Sequence, residues 1–351
     1  MKSIVVNAEH TYEVQIGSDW IAGVSALIAN RSRVAIIVSQ SFTPDLTALE
    51  NMDADVHIFK IPDGEAGKSF ESLTKLWDWL GAAGFTRSDL IIGIGGGGVT
   101  DVAGFAAATW LRGIDWVAVP TSLAGMVDAA IGGKTGINSD YGKNLIGAFH
   151  SPICVVIDSN FLKTLSDRDF AAGLAEVIKS GFIKDVKILD RLKDQNISSL
   201  RENHDLTIEI ITRTIQVKAD VVGIDFKESF AREILNYGHT LGHAVEIHSK
   251  YLLRHGEAVS IGLVYIAELA HARGLINENE LAQHRRLLSA FGLPITYERE
   301  AWQYLRPLLA LDKKARGSTI RFVALNGLGQ TIRLEDLTSV ELDAAYERIC
   351  P

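Results

Sequence analysis

The chain has 351 residues, 47% hydrophobic and 22% charged, with a formal net charge of −8. Those proportions are ordinary for a globular protein, and at about 150 residues per domain the length points to two domains, each able to bury its own core. The acidic balance argues against nucleic acid as the main partner, so any phosphorylated ligand needs a local basic cluster.

The first 150 or so residues alternate short β-branched runs with amphipathic stretches. SIVVN and YEVQIG read as a strand pair, and RVAIIVS, DVHIFKIP, DLIIGIG, DWVAVP and ICVVID as buried strands of a mostly parallel sheet. SFESLTKLWDWLGAAG and TDVAGFAAATWLRG carry helical spacing between them. The stretch from Asp128 to Phe149 reads as a polar, glycine-paced loop holding Lys134 and Lys143. After Asp158 strands nearly vanish. DRDFAAGLAEVIKSGFI, TIEIITRTIQVKADVV, EILNYGHTLGHAVEIHS, GEAVSIGLVYIAELAHARG and ENELAQHRRLLSAFG read as successive helices. A late strand pair, STIRFVALN and QTIRLED, precedes a final helix from about Thr338. The expected fold is an α/β nucleotide-binding domain over 1–160, its sheet mostly parallel, followed by a mainly helical metal- and substrate-binding domain over 161–351.

The cysteines, Cys154 and Cys350, offer no disulfide framework or Cys-rich zinc site and fit a reducing cytosol. The apolar run in MKSIVVNAEH is too short for a signal peptide, and no run approaches the roughly 18 apolar residues of a membrane span. The expected location is the cytoplasm.

Gly93, Gly95 and Gly98 match G-x-G-x-x-G between a strand and a helix, where backbone N–H groups and a helix N-terminus favour a pyrophosphate. The motif is weak alone. The acidic residue expected to close the next strand is missing, since Asp115 opens that strand, and a plain tight turn stays an open reading. His239 and His243, four apart, share one helix face, and a third ligand would make a metal site. His255, Glu246 and Glu257 are nearby, and Glu176 sits on an apolar helix where a lone carboxylate is costly. Lys179 on the same face offers a salt bridge instead, and the spacing does not fix which three side chains ligate. His57, His204, His248, His271 and His284 read as surface or ordinary helix residues.

Several polar blocks stand in a fixed order: PDGEAGK at 62–68, GGGVTDVAGFAAATWLRG at 96–113, VDAAIGGKTGIN with GKNLIGAF at 127–149, AAGLAEVIKSGFI, KADVV, LNYGHTLGHAVE, RHGEAV and LDKK. In these the chain resembles the 3-dehydroquinate synthase family of sugar phosphate cyclases over nearly its whole length. The resemblance implies a dehydroquinate synthase-like fold and a homodimer. It implies conversion of 3-deoxy-D-arabino-heptulosonate 7-phosphate to 3-dehydroquinate and phosphate, in the shikimate route to aromatic amino acids, with NAD and one divalent zinc or cobalt ion per chain.

By motif position the resemblance assigns Glu176, His239 and His255 to the metal. It assigns Asp63, Gly64, Glu65, Ala66, Gly67, Lys68, Gly97, Gly98, Val99, Thr100, Asp101, Thr121, Ser122, Lys143, Phe161, Leu162, Lys163 and Thr164, together with Asp128 and Lys134, to NAD. Substrate falls to Asp128, Lys134, Asn144, Lys179, Lys218, Arg232, Asn236, His243 and one lysine of the pair Lys313–Lys314, with Lys314 placed on the phosphate and Arg112 reaching it from a neighbouring subunit. Glu228 and His243 match acid–base positions, and Asp128, Lys134 and Lys179 complete the catalytic set. Ser122 stands where a threonine is usual, Thr100 replaces a glycine, and Leu123-Ala124-Gly125-Met126 departs from the frequent pattern, yet none removes a group the chemistry needs. Two rival readings are a sibling cyclase, disfavoured because Lys218, Arg232 and Asn236 suit a carboxylated substrate, and a non-catalytic NAD- and metal-binding regulator.

Overall fold

The computed structural model describes residues 2–17, 19–42, 44–316 and 321–351, with the backbone alone for 310–316. It divides into two compact units, residues 1–165 with 218–227 and residues 166–217 with 228–351. No helix among the described residues is long and apolar enough to cross a membrane.

In the first unit the strands are β1 (Lys2–Asn7), β2 (Thr11–Gly17), β3 (Arg33–Ser39), β4 (Asp55–Ile61), β5 (Leu90–Gly95), β6 (Asp115–Pro120), β7 (Lys134–Ser139), β8 (Gly142–Phe149) and β9 (Cys154–Asp158). The helices are α1 (Trp20–Ile28), α2 (Thr47–Glu50), α3 (Phe70–Ala82) and α4 (Gly97–Thr109). Seven strands form one sheet in the order β1-β2-β9-β6-β5-β3-β4, antiparallel only between β1 and β2. Val34, Ile36, Ile92, Ile94, Val117, Val119 and Val156 form its core with Val24 and Ile28 of α1. Ala35, Ile37, Ile91 and Ala118, on the opposite face, are also fully buried, and this two-sided burial explains why these strands read as continuous apolar runs rather than alternating ones.

From β3 the chain moves to the edge strand β4, then returns to β5 on the other side of β3 and continues to β6. The loops after β3 and β5 therefore leave adjacent strands in opposite directions, and ligands of open α/β sheets bind at such a switch point. The glycine loop opens there.

The stretch 128–149 corrects the sequence reading. Instead of a loop, most of it is the antiparallel hairpin β7–β8, with Gly136 opposite Gly147 in its register. A Cβ on Gly147 would stand 2.2 Å from the Thr135 carbonyl oxygen, so the glycines that suggested a loop are what lets the two backbones close. Helix α1 was not anticipated, although Asp19 caps it by accepting from Ala22 N.

The second unit holds α5 (Asp167–Ile183), α6 (Lys187–Leu192), α7 (Ile197–Glu202), α8 (His204–Ile224), α9 (His239–His248), α10 (His255–Ala272), α11 (Glu278–Ala290), α12 (Trp302–Arg316) and α13 (Ser339–Glu347), with the hairpin β10 (Phe322–Leu325) and β11 (Thr331–Leu334). The last residues of α8, from Lys218, belong to the first unit. Helix α10 is buried almost all round, from Gly256 through Ala270, and forms the unit's axis. The expected helix EILNYGHTLGHAVEIHS is broken: a 3-10 turn covers Ala231–Asn236, Gly238 turns left-handed at φ 81°, and α9 begins at His239. The start of the strand expected from STIRFVALN, residues 318–320, lies outside the described residues.

Candidate active site

The structure brings the assigned residues together in two groups, one in each unit. In the first unit, Gly96 precedes α4, whose first N–H groups have no partner within the helix. Residues Gly64–Gly67 form a 3-10 turn packed against this end, and a Cβ on Gly98 would lie 2.9 Å from the Gly64 carbonyl oxygen. Only glycine permits that approach. Asp63 accepts from Ser41 N and Oγ at 3.1 and 2.6 Å, which ties this turn to the loop after β3 and holds the Asp63 carboxyl below its usual range. Thr121 N donates to the Gly95 carbonyl, and Ser122 Oγ accepts from Gly125 N. Thr100, buried beside Val99, returns its hydroxyl to the Gly97 carbonyl at 3.0 Å, so the departure from glycine is satisfied inside the helix. Phe161 leans on Trp20 and Phe42, with Leu162 buried, Lys163 on Asn160 and Thr164 on the Phe161 carbonyl.

Hairpin β7–β8 joins this group through polar bonds. Buried Lys68 binds both Asp101 and Asn144, and burial raises the Asp101 carboxyl against the pull of Lys68. Asn138 donates to Glu65 at 2.6 Å and accepts from Asn144 N at 3.0 Å, while Lys143 lies 3.5 Å from Glu65. Asn144 has φ 56°, a region that asparagine tolerates better than most residues. Lys218 binds the Asp128 carboxylate at 2.5 Å and also reaches its backbone carbonyl. Lys134 and Arg112 are exposed, the latter at φ 67°. Asp115 pairs with Arg31 at 2.6 Å and takes no part in the glycine loop.

In the second unit three helices converge. Glu176 comes from α5, His239 opens α9 and His255 opens α10. A Cβ on Gly256 would fall 1.8 Å from the Ala172 carbonyl oxygen, so glycine allows α10 to meet α5 where His255 faces Glu176. Glu176 Oε1 lies 3.5 Å from His239 Nε2 and 3.4 Å from His255 Nε2. His239 Nδ1 faces the Tyr237 carbonyl at 3.2 Å, and His255 Nδ1 faces Glu246 Oε2 at 3.2 Å. Each Nδ1–H thus has an acceptor, which in the neutral ring leaves the Nε2 lone pair directed at Glu176. Three acceptors therefore meet at one place, and Glu176 Oε1 is buried without a hydrogen-bond partner. Three donors about 2.1 Å from a tetrahedral ion stand about 3.4 Å apart, so the residues present fit a divalent cation.

Burial opposes the charge of Glu176, but Lys179 and His239 hold its carboxyl well below the usual range. Burial and Lys179 push His239 well down. Burial also opposes the charge of His255, yet Glu176 and Glu246 together raise it to about 10 without a metal, so a cation binding at Nε2 would displace a proton from it. Lys179 pairs with the other oxygen of Glu176, so the salt bridge weighed from sequence and the acceptor cluster coexist. His243, one turn after His239, has its ring 5.3 Å from that of His239, but the set able to hold an ion is Glu176, His239 and His255.

Glu228, at φ 57°, accepts from Asn236 Nδ2 at 3.1 Å, and Arg232 is fully buried. The side chains of Lys313 and Lys314, on α12, lie outside the described residues. His284, read as a surface or ordinary helix residue, lies on helix α11 but is fully buried, stacked on Phe182 at 3.5 Å, donating from Nδ1 to the Glu280 carbonyl and accepting the Tyr237 hydroxyl at Nε2. Burial lowers it to about 4. Its apolar neighbours on α11 gave no sign of this in sequence.

Residues 58–172 match the family described as 3-dehydroquinate synthase N-terminal, and residues 173–315 its C-terminal counterpart. The chain belongs to the 3-dehydroquinate synthase family. The 3-dehydroquinate synthase of Thermobifida fusca is 47% identical over 343 residues, covering 96% of this chain and 93% of that protein. That of Corynebacterium diphtheriae is 46% identical over 356 aligned positions, covering 99% of each. Among solved structures, 2-epi-5-epi-valiolone synthase from Streptomyces hygroscopicus, with NAD+ and Zn2+ bound, superposes with TM-score 0.89 at 28% identity, covering 99% of this chain and 98% of that one. A 2-deoxy-scyllo-inosose synthase complexed with carbaglucose-6-phosphate, NAD+ and Co2+ shares the fold at TM-score 0.84 and 24% identity, covering 99% of this chain and 100% of that one.

Proposed function

We propose that this chain is an enzyme converting 3-deoxy-D-arabino-heptulosonate 7-phosphate to 3-dehydroquinate and phosphate, with NAD and one zinc or cobalt ion per chain. The observation that carries the reading is the convergence of Glu176 Oε1 and two imidazole Nε2 atoms in a chain of this family. Glu176, His239 and His255 would hold the divalent ion, which would supply Lewis acidity toward a substrate oxygen. NAD, held by Asp63–Lys68, Gly97–Asp101, Thr121, Ser122, Lys143 and Phe161–Thr164, supplies a reversible hydride acceptor, so the overall conversion is redox-neutral.

The chain's own groups bind and orient. Lys179 offsets the charge of Glu176 and keeps a buried donor beside the metal site. Lys218, Arg232 and Asn236 receive the substrate carboxylate and hydroxyls, with Asp128 aligned by Lys218. Lys134, His243, Lys314 and Arg112 of the partner subunit neutralise the phosphate, which the acidic chain as a whole repels. Glu228, held by Asn236, and His243 move protons. The substrate's own phosphate takes the carbon-bound proton during elimination, which accounts for the small number of protein bases. A homodimer in which each chain lends Arg112 to its partner's phosphate site completes this reading.

A sibling cyclase fits the fold equally well. The 46–47% relatives and the basic set Lys218 and Arg232 favour a carboxylated substrate. Supplying purified protein, NAD and zinc with either the heptulosonate 7-phosphate or a matching sugar phosphate without the carboxylate separates the readings. Phosphate release from the first alone is expected; release from the second alone would transfer the chain to the siblings.

A further inference from the structure

Glu246 lies near the end of α9 and is 4% exposed. Its Oε2 is 3.2 Å from Nδ1 of His255, whose Nε2 faces Glu176 Oε1 at 3.4 Å. The other imidazole of the cluster is held differently: His239 Nδ1 faces the neutral backbone carbonyl of Tyr237. One ring thus answers to a fixed peptide dipole and the other to a full negative charge.

The chain between the two helices closes on the backbone of the same residue, Glu246. Lys250 and Tyr251 adopt φ 51° and 61°, a left-handed pair that non-glycine residues rarely take in succession. Tyr251 N donates to the Glu246 carbonyl at 2.9 Å, and Ser249 Oγ donates to the same oxygen at 3.1 Å. The turn therefore folds back on Glu246 before α10 begins at His255. Backbone strain of this kind persists only where its surroundings enforce it.

We infer that Glu246 is a positioning residue: it fixes the tautomer and ring direction of His255 and strengthens that imidazole as a donor to a divalent cation. A carboxylate only accepts, so in the neutral ring Nδ1 carries the proton that Glu246 receives and the Nε2 lone pair faces Glu176. The inference rests on the reading of Glu176, His239 and His255 as a cation site.

The test uses zinc alone as the probe, titrated into the full-length protein in competition with a chromophoric chelator. Glu246→Ala is expected to weaken zinc binding about 10- to 100-fold. Glu246→Gln, which keeps an acceptor oxygen and loses the charge, is expected to fall between Glu246→Ala and the unaltered protein. Thermal unfolding of the metal-free forms is measured in parallel. Metal-free Glu246→Gln is expected to unfold at the temperature of the unaltered protein, while the stabilisation gained on adding zinc shrinks. If Glu246→Ala fails to fold, Glu246→Gln carries the test. Equal zinc affinity in Glu246→Gln and the unaltered protein overturns the inference and leaves the cation site standing. A loss of zinc affinity matched by an equal loss of metal-free stability overturns it too, since Glu246 would then be only a packing element. An unaltered protein that binds no zinc removes the cation site itself.

Discussion

The two units build their sites from opposite materials. In the first, the site is largely backbone: helix α4 begins where a missing side chain at Gly98 admits the Gly64 carbonyl, and hydroxyls of Ser41, Thr100 and Ser122 fasten the surrounding turns. In the second it is largely side chain: a buried carboxylate, two imidazoles and a lysine, brought from α5, α9 and α10. A backbone site tolerates changes of side chain but not added volume. A site of buried charges tolerates neither loss of a partner nor loss of charge, because a buried ion left alone costs about 3–5 kcal/mol.

That contrast orders the expected effects. The largest belongs to the second unit. His255→Ala should abolish stoichiometric zinc by elemental analysis and lower kcat/KM by at least about 1,000-fold, with NAD affinity little changed. Retention of zinc and activity would remove His255 from the ligand set.

Next come the proposed phosphate contacts. Arg112→Ala and Lys134→Ala should each lower kcat/KM by about 10- to 100-fold, the value of a lost charge-assisted bond. Co-refolding the two should recover part of the activity, because a site on the Arg112→Ala chain keeps its own Lys134 and borrows Arg112 from its partner. Mixed dimers no more active than the better single variant would mean that each chain is self-contained.

Gly98→Ala inverts the first pattern. Its Cβ would stand 2.9 Å from the Gly64 carbonyl, and overpacking costs about 1–3 kcal/mol, so the NAD dissociation constant should rise about 5- to 150-fold. Zinc binding should be unaffected. Parallel losses of both ligands would show that the units do not carry separate sites.

The smallest change is Thr100→Ala, which removes the hydroxyl bond to the Gly97 carbonyl and should cost about 1 kcal/mol of stability by denaturant unfolding, without changing zinc affinity.

Legibility in the sequence follows the same division. Strands β3, β5, β6 and β9 were readable because burial on both faces leaves continuous apolar runs, α11 because its apolar spacing is helical, and α5 and α10, buried almost all round, because their runs are too long for strands. The hairpin β7–β8 was not, since Gly136 and Gly147 read as loop residues until the two backbones are seen to close on each other. The glycine loop was visible as spacing, but a weak motif; its partner turn at Gly64–Gly67 lies on a different segment. Spacing suggested His239 with His243, the pair on one helix, whereas the facing acceptors are Glu176, His239 and His255 from three helices. Only motif order across the whole chain named that set. The break at Tyr237–Gly238, which starts α9 at His239, and the burial of His284 against Phe182 depend on tertiary packing that periodicity does not record.

The proposed conversion is redox-neutral and releases phosphate. The direct measurement supplies purified, zinc-loaded protein with excess 3-deoxy-D-arabino-heptulosonate 7-phosphate and substoichiometric NAD, following phosphate and reduced-nicotinamide absorbance together. Many equivalents of phosphate per NAD, with no net rise in absorbance, are predicted. Absorbance that climbs in proportion to product, or no phosphate at all, would contradict the account.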